Sequence, residues 1–348
     1  MAAAMLLFTL LIAGSDIGAY PCGHFLTLHI SKYDADSQSI GVCYGKLGDN
    51  LPRPQEVIDM HKSRNILRMR IYDPHHETLQ ALRGSNIELV LDVPLQDLQS
   101  LALDASAANA WVQTNVRAYL PDVKFRYIGV GNEVSPINQN AQFVPFVLPA
   151  LAAVGLQNQI NKVSTVIETG VLGESYPPSQ GAFKGELRSY LDPILAFLVN
   201  NQAPILVNVH PYISHINIPN ANLQYALFTS PSADVSDGQL RYQNLFDAIV
   251  DAFYSALEKT SGSGLVIVVS ETGWPSNGGP DTSVENARTY NQNLVQHVGR
   301  GTPKRPGKPI ETYVFAMFNE NQKGGPEYEK YWGLFYPNKQ PVYPINFV

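Results

Sequence analysis

Two glutamates stand where short apolar runs of the chain end, in positions that suit acid and base chemistry. Glu133 follows Asn132 at the end of the run Tyr127–Gly131, and Glu271 follows the run Val266–Ser270. Cleavage of a glycosidic bond needs one carboxylic acid to protonate the leaving oxygen and one carboxylate to attack the anomeric carbon. The alternative is that both are strand-end carboxylates that cap helices or pair with Arg or Lys.

The elements that must position these glutamates are predicted from the apolar pattern. Most of the strand-length runs are apolar almost throughout, as in parallel strands that are buried on both faces. The predicted strands are Ile40–Tyr44, Leu67–Tyr72, Glu88–Val93, Phe125–Val130, Lys162–Ile167, Ile205–Val209, Leu265–Ser270 and Thr312–Phe318. The intervals between them leave room for crossover helices.

Amphipathic stretches between the runs predict helices, most clearly at Arg241–Leu257, where apolar residues recur at three-four spacing. The other predicted helices are Ser106–Tyr119, Phe143–Leu156, Leu187–Val199 and Ser283–Val298, with Ser283 as cap. Alternating strands and helices predict an α/β fold with a single (β/α)8 TIM barrel, and a doubly wound open sheet is the alternative. Because catalytic groups of a barrel lie at the C-terminal ends of its strands, both glutamates are expected at one face.

Composition narrows the substrate class. The chain has 348 residues, of which 45% are hydrophobic and 16% charged, with a net charge of −6 and no long run of either sign. These values predict a large globular core and exclude a phosphate-tracking surface, so nucleic acid is not an expected partner. A neutral polysaccharide substrate is compatible with this balance of charges. The two cysteines, Cys22 and Cys43, cannot form a disulfide framework, and Cys43 is expected to be a small buried side chain.

Longer motifs around both glutamates resemble the plant endo-β-1,3-glucanases of glycoside hydrolase family 17. The resemblance runs from about residue 38 to residue 348. The matching stretches are Ile40–Gly45, Met69–Tyr72, Tyr127–Ser135, Val268–Ser276, Gly301–Pro303 and Phe315–Lys323.

The resemblance implies a retaining mechanism with Glu133 as proton donor and Glu271 as nucleophile. It also implies that six further residues line or support the cleft: Tyr72, Asn132, Tyr212, Glu320, Lys323 and Glu329. In physical terms, Lys323 or Tyr212 could keep Glu271 ionised, and Glu320 could help Glu133 to hold its proton. Asn132 could hydrogen-bond a sugar 2-hydroxyl group.

Three residues leave the substrate contacts open. Trp274 could form an apolar wall for a sugar face, or it could anchor a loop in the core. His210 stands where relatives often have Tyr, and Leu95 where they usually have a small polar residue. We expect His210 to affect a cleft contact or the pH profile, and Leu95 to affect an outer subsite.

Other classes of site fit the sequence less well. His75-His76 and His210-x4-His215 lack HExxH spacing, so neither a catalytic metal nor any other cofactor is predicted. The pair Gly129 and Gly131 does not complete a dinucleotide fingerprint, and no G-x-S-x-G elbow occurs. A glucan-binding protein without turnover and a mixed β-1,3-1,4-glucanase remain as alternatives. The expected partner is β-1,3-glucan, and the expected state is a monomer.

The first residues are typical of a secretory signal. Met5–Ala13 is an apolar segment, too short to span a bilayer, and small residues follow it. We therefore expect residues 1–37 to comprise a signal peptide and a leader, and residues 38–348 to form the catalytic domain. The last residues of the sequence do not form a hydrophobic tail of the kind that signals a lipid anchor. We therefore expect an enzyme that is secreted to the apoplast and does not bind membranes, with the vacuole as an alternative location.

Overall fold

A closed barrel of parallel strands holds the chain together. The computed structural model describes residues 40–158 and 162–347, so the predicted signal peptide and leader lie outside the described residues. The barrel strands, named β1 to β8 in chain order, are Ile40–Cys43, Arg68–Ile71, Glu88–Val93, Lys124–Asn132, Lys162–Glu168, Ile205–Asn208, Ile267–Thr272 and Thr312–Val314.

Each barrel strand pairs with the strand before and after it in the chain, and β1 closes the ring. Ile40 of β1 lies beside Thr312 of β8, while Val42 lies beside Met69 of β2. All eight pairings are parallel. The predicted barrel is therefore confirmed, and the open-sheet alternative is wrong. Strands buried on both faces explain why the sequence is apolar throughout rather than alternating.

The last strand is shorter than predicted. The apolar run suggested Thr312–Phe318, but β8 ends at Val314. Beyond that point the backbone turns to other partners: Ala316 donates its N–H to the carbonyl of Trp332, and Met317 donates to that of Cys43. Apolar character continues because this segment is still buried, although it no longer belongs to the barrel ladder.

Helices cover the outside of the barrel. Within the described residues, α1 to α10 are Pro54–Ser63, His76–Leu82, Leu98–Leu103, Ala105–Asn115, Val144–Asn158, Arg188–Asn200, Pro211–Asn217, Leu223–Ala226, Leu245–Glu258 and Val284–His297. In none of these described helices is there a stretch long and apolar enough to cross a membrane.

The helix predicted at Arg241–Leu257 begins four residues later than expected. Leu240–Tyr242 is instead a strand, paired with Val235–Asp237 in a hairpin. Asn244 then caps α9, because its Oδ1 accepts a hydrogen bond of 2.7 Å from the backbone N–H of Asp247. The predicted cap of α10 is confirmed, since Ser283 Oγ accepts from the N–H of Asn286 at 3.0 Å.

Charges of alternating sign close the end of the barrel where the strands begin. Arg68 pairs with Glu88 at 2.9 Å, and Glu88 pairs with Arg126 at 3.0 Å. Arg126 also holds both carboxylate oxygens of Glu311 at 2.6 Å. Arg68 and Glu88 are the first residues of β2 and β3, Arg126 is the third residue of β4, and Glu311 directly precedes β8. The starting end is thus occupied by structural ion pairs, which leaves the opposite end for chemistry.

His61 in α1 makes the fold sensitive to acid. Its ring is fully buried; Nδ1 donates to the carbonyl of Val57 at 3.0 Å, and Nε2 has no hydrogen-bond partner among the described residues. Burial lowers the pKa of His61 from 6.5 to about 4. The unfolded chain therefore takes up this proton first, so the contribution to stability is full above pH 6.5 and is lost as the pH falls towards 4.

We predict that His61→Leu removes this acid sensitivity. Between about pH 7.5 and pH 4.5, the wild type should lose about 2 kcal/mol more unfolding free energy than the variant. Denaturant unfolding of both proteins at the two pH values measures this difference. Equal losses in the two proteins would contradict a buried neutral imidazole at position 61.

Candidate active site

A cleft of about 950 Å³ opens where the barrel strands end. Seven of the nine predicted site residues line it, namely Tyr72, Asn132, Glu133, Glu271, Glu320, Lys323 and Glu329. Asn132 is the last residue of β4 and Glu133 follows it, while Glu271 is the penultimate residue of β7. The topology of the barrel therefore brings the two glutamates to the same face.

Glu271 is held through one of its two carboxylate oxygens. Its Oε1 accepts hydrogen bonds from Arg70 Nη1 at 2.8 Å and from Tyr72 Oη at 2.9 Å. The other oxygen, Oε2, lies 3.5 Å from Nε2 of His210. With Oε1 occupied, Oε2 is the oxygen available to a bound molecule.

Arg70 is the centre of this network, and sequence reasoning did not single it out. The side chain is fully buried. Its Nε and Nη2 donate to Oδ2 of Asp92 at 3.1 and 2.6 Å, and Nη2 also donates to Asn132 Oδ1 at 2.9 Å. The signal for Arg70 was its position in β2 two residues before Tyr72, which directly follows the strand; in extended chain this spacing directs both side chains to the same side.

The charges around Glu271 keep it ionised. Burial by itself raises the pKa of this carboxyl, but the Arg70 guanidinium, with His210 and Lys323, outweighs burial and lowers the pKa to about 2. Lys323 was one of the two residues predicted to keep Glu271 ionised. The direct hydrogen bonds to Glu271 come instead from Arg70 and Tyr72. Glu271 is thus a carboxylate at neutral pH.

Glu133 has a backbone conformation that is uncommon for its residue type. Its φ is 52°, in the left-handed region that favours glycine. The backbone around it is fixed on both sides: its N–H donates to the carbonyl of Val166 at 3.0 Å, and its own carbonyl accepts from Asn138 and Asn140 at 2.7 and 3.2 Å. Such strain persists where the surroundings enforce it, and it is concentrated at functional sites.

The side chain of Glu133 points towards Glu271. A carboxylate oxygen of each glutamate and a ring nitrogen of His210 lie within 4.8 Å of one another. Burial, followed by the negative charge of Glu271, raises the pKa of Glu133, although Asn208 Nδ2 donates to its Oε1 at 2.8 Å. The pKa values of the two carboxyl groups are therefore shifted in opposite directions. The shift favours the protonated form of Glu133 and the ionised form of Glu271.

Asn132 presents a donor to the cleft. Its Oδ1 accepts from Arg70 at 2.9 Å and from Asn208 Nδ2 at 3.2 Å. Because two donors fix the oxygen, the amide group is oriented with Nδ2 away from them. Nδ2 makes no hydrogen bond to any residue that the structure describes, and it can donate to a bound hydroxyl group.

Glu320, Lys323 and Glu329 form a second polar group beyond the glutamate pair. Glu320 is buried, burial raises its pKa, and its Oε1 accepts from the backbone N–H of Leu47 at 2.7 Å. Lys323 pairs with Glu329 at 3.1 Å and lies 3.9 Å from the ring centre of Phe315. This group fixes the loop after β8 and adds a cation to the cleft.

Two of the predicted aromatic residues lie elsewhere. Trp274 is fully buried, and its Nε1 donates to the carbonyl of Asp281 at 3.0 Å, so it anchors a loop and cannot form a wall for a sugar. Tyr212 is also fully buried and packs edge-on against Trp274 at 5.1 Å between ring centres. Tyr212 therefore neither lines the cleft nor holds Glu271.

The apolar side of the cleft is built from other rings. Trp332 and Phe315 line it, with ring centres 5.9 Å apart, and Phe315 packs edge-on against Tyr72 at 6.4 Å. Phe315 opens one of the motifs noted in the sequence, but no pattern distinguished Trp332. Both rings are almost fully buried, so they form part of the cleft wall where Trp274 does not.

The remaining sequence expectations concern Leu95 and three histidines. Leu95 packs against the hydrophobic core and does not line the cleft, so the expected effect on an outer subsite is not supported by its position. His215 pairs with Asp281 at 2.9 Å, and His76 contacts Tyr119 Oη at 2.8 Å. His215 is thus engaged by Asp281, whereas His210 lies with Glu133 and Glu271 in the cleft. Cys43 is buried as expected, and burial raises the pKa of its thiol.

Gly129 of β4 is required by the close approach of Asp92. A Cβ at this position would overlap Oδ1 of Asp92. We predict that Gly129→Ala displaces Asp92 and with it Arg70, which lowers kcat/KM on a glucan substrate about 100-fold, as misplacement of about 1 Å can do. Steady-state kinetics measures the loss.

Gly155→Ala in α5 is the matched control. The added Cβ would meet only the ring of Phe197 at 3.6 Å, and Ala is preferred to Gly within a helix. This variant should keep full activity and equal or greater thermal stability. Equal activity of both variants would show that the Asp92 contact does not support the site.

Comparison with known proteins agrees with this geometry. The sequence model of the glycosyl hydrolases family 17 matches residues 40–347. A glucan endo-1,3-β-glucosidase of Vitis vinifera is 57% identical over 326 residues, which cover 91% of this chain and 94% of the relative. The basic isoform of Phaseolus vulgaris is 54% identical, with 88% and 90% covered.

Solved structures show the same likeness. One from a study of two plant β-glucan endohydrolases with distinct substrate specificities has 46% identity and a TM-score of 0.84, covering 88% of this chain and 99% of its own. A β-1,3-glucanase and pollen allergen of Cryptomeria japonica has 44% identity and a TM-score of 0.87, covering 89% and 99%. The match along the whole barrel, with both strand-end glutamates inside it, shows that the chain belongs to family 17 of the glycosyl hydrolases.

Proposed function

We propose that this chain is an endo-β-1,3-glucanase that cleaves internal bonds of β-1,3-glucan with retention of anomeric configuration. The observation that carries the proposal is the pair formed by Glu133 and Glu271, whose nearest oxygens lie within 4.8 Å and whose pKa values are shifted in opposite directions. Retaining glycosidases have carboxyl groups about 5–5.5 Å apart, while inverting enzymes leave room for a water molecule. The named activity of the Vitis vinifera relative supports the choice of linkage.

The first step forms a covalent glycosyl–enzyme. Oε2 of Glu271 attacks the anomeric carbon, while Glu133 gives its proton to the glycosidic oxygen as the bond to that oxygen breaks. Arg70 and Tyr72 hold Oε1, so that the attacking oxygen is oriented without being covered. Asn132 Nδ2 is placed to donate to the sugar 2-hydroxyl group, a contact that strengthens in the transition state.

The second step releases the sugar. Once Glu271 is an ester, its negative charge is gone, and the repulsion that raised the pKa of Glu133 disappears. Glu133, now deprotonated, takes a proton from water, and the resulting nucleophile attacks the anomeric carbon from the face that the leaving group vacated. Glu271 departs as a carboxylate that Arg70 stabilises.

We also propose that the enzyme is exported and acts on cell-wall glucan. The apolar segment Met5–Ala13, followed by small residues, supports this proposal. Expression of the full chain in plant cells, with recovery of activity from the medium and N-terminal sequencing of the product, tests it. Retention of the whole chain inside the cell would contradict export.

Hydrolysis of two polymers tests the activity and the linkage. The enzyme should release reducing ends from a linear β-1,3-glucan faster than from a mixed β-1,3-1,4-glucan, and early products should be oligosaccharides with the β-anomer in excess by NMR. Faster release from the mixed polymer would establish the alternative specificity. Tight binding of oligosaccharides without turnover would show a glucan-binding protein instead.

The two glutamates should respond differently to substitution. We predict that Glu271→Ala abolishes polymer cleavage and that azide or formate partly restores turnover of an activated aryl glycoside, because the anion takes the place of the missing carboxylate. Glu133→Gln should slow polymer cleavage by about 100-fold or more, yet affect an aryl glycoside with a good leaving group far less. An equal loss on both substrates would remove Glu133 from the role of acid.

A further inference from the structure

His210 occupies a special position beside the nucleophile. It lies between the end of β6 and the start of α7, with Nε2 3.5 Å from Oε2 of Glu271. The other oxygen, Oε1, is engaged by Arg70 and Tyr72. His210 is thus the side chain that faces the oxygen assigned above to attack the sugar.

The surroundings of the ring decide which nitrogen carries the hydrogen in the neutral form. Nδ1 is buried and has no hydrogen-bond partner among the described residues. The ring packs edge-on against Trp332 at 5.3 Å and Phe315 at 6.4 Å between centres. An N–H at Nδ1 would be buried without an acceptor, which is unfavourable, so the hydrogen belongs on Nε2, where Glu271 faces it.

Several charged groups lie close to His210. Glu271 of β7 and Glu133, just after β4, have carboxylate oxygens within 4.8 Å of the ring nitrogen. Arg70 and Tyr72 reach Glu271 from the other side through Oε1. Lys323 lies over Phe315, the ring that His210 also contacts. A proton on His210 therefore places a second cation at the carboxylate that must attack.

Glu271 is held in its ionised form by its neighbours. Against the effect of burial, Arg70 first and then His210 and Lys323 lower its pKa, so the carboxylate is the favoured form of the nucleophile. Histidine is the side chain whose ordinary ionisation lies between about pH 5 and 8. The imidazole of His210, 3.5 Å from Oε2, is therefore the ionisable group whose charge state acts most directly on the attacking oxygen.

We propose that His210 is a positioning residue of the nucleophile: its neutral Nε2–H orients Oε2 of Glu271 for attack, and its protonation ties that oxygen in an ion pair and slows glycosylation. The inference rests on the proposed function. In the second step the same cation stabilises the departing carboxylate, so that protonation of His210 slows glycosylation while favouring release. This dependence follows from the imidazole of His210 and its contact with Oε2.

The pH dependence of kcat/KM on a soluble β-1,3-gluco-oligosaccharide tests the proposal, because kcat/KM reports the ionisations of the free enzyme. His210→Gln keeps an N–H donor near the place of Nε2 but does not titrate. The midpoint of the acid limb should move to lower pH by about one unit or more. His210→Phe keeps the packing against Trp332 and Phe315 but removes the donor, so kcat/KM should fall about tenfold or more across the profile while the wild-type acid limb disappears.

His76→Gln is the matched control, because His76 is exposed in α2 and lies outside the cleft. This variant should reproduce the wild-type profile. An acid limb that keeps its wild-type midpoint in His210→Gln would overturn the role of His210, even though the enzyme cleaves the substrate. Failure of the wild type to cleave the oligosaccharide at any pH would overturn the proposed function itself, and this inference with it.

Discussion

The buried guanidinium of Arg70 is the interaction on which the rest of the site depends. Removing a cation from water is costly unless partners replace its hydration. Arg70 is surrounded by acceptors from four other strands, namely Asp92 of β3, Asn132 of β4, Asn208 of β6 and Glu271 of β7. A single side chain thus ties together strands that lie on opposite sides of the barrel. Glu271 is ionised and oriented because this network is complete without a bound substrate.

The two ends of the barrel use charge in different ways. Where the strands begin, Arg68, Glu88, Arg126 and Glu311 form ion pairs in which each charge has an opposite neighbour. Where they end, negative charges outnumber the cation that holds them, and Glu133 and Glu271 remain close together. The imbalance raises the pKa of one glutamate while Arg70 lowers that of the other. The opposite pKa shifts in the cleft therefore arise because carboxyl groups lie close together there, whereas at the other end each charge is paired with an opposite one.

Sequence patterns predicted the barrel and the two glutamates because both depend on local information. Apolar runs mark strands buried on both faces, and a carboxylate directly after such a run must lie at one end of the barrel. Arg70 was not singled out, because its role depends on which residues of β3, β4 and β7 lie within reach of its guanidinium group. That arrangement is set by the register of the closed sheet. Trp274 shows the same limit, because a position three residues past Glu271 does not tell whether a loop turns its ring inward or towards the cleft.

Helix and strand ends were predicted less well where side chains compete with the backbone pattern. The apolar periodicity at Arg241–Leu257 continued through Leu240–Tyr242, which pairs in a hairpin, and only the cap at Asn244 fixes the start of α9. At β8 the apolar run outlasted the strand because the segment after Val314 stays buried by contacts with the loop around Trp332. Hydrophobicity reports burial, and burial alone does not specify hydrogen-bonding partners.

At position 133, the left-handed backbone favours a glycine, whereas the proposed reaction requires a carboxylic acid. A residue with a side chain at a φ of 52° costs about 1 kcal/mol relative to glycine, so Glu133→Gly should relax the backbone while it removes the side chain proposed as the acid. Screening of variants by thermal tolerance alone would consequently favour the loss of this glutamate. In this protein, selection for heat resistance has to be combined with selection for turnover, because glycine, the least strained residue at position 133, cannot donate a proton.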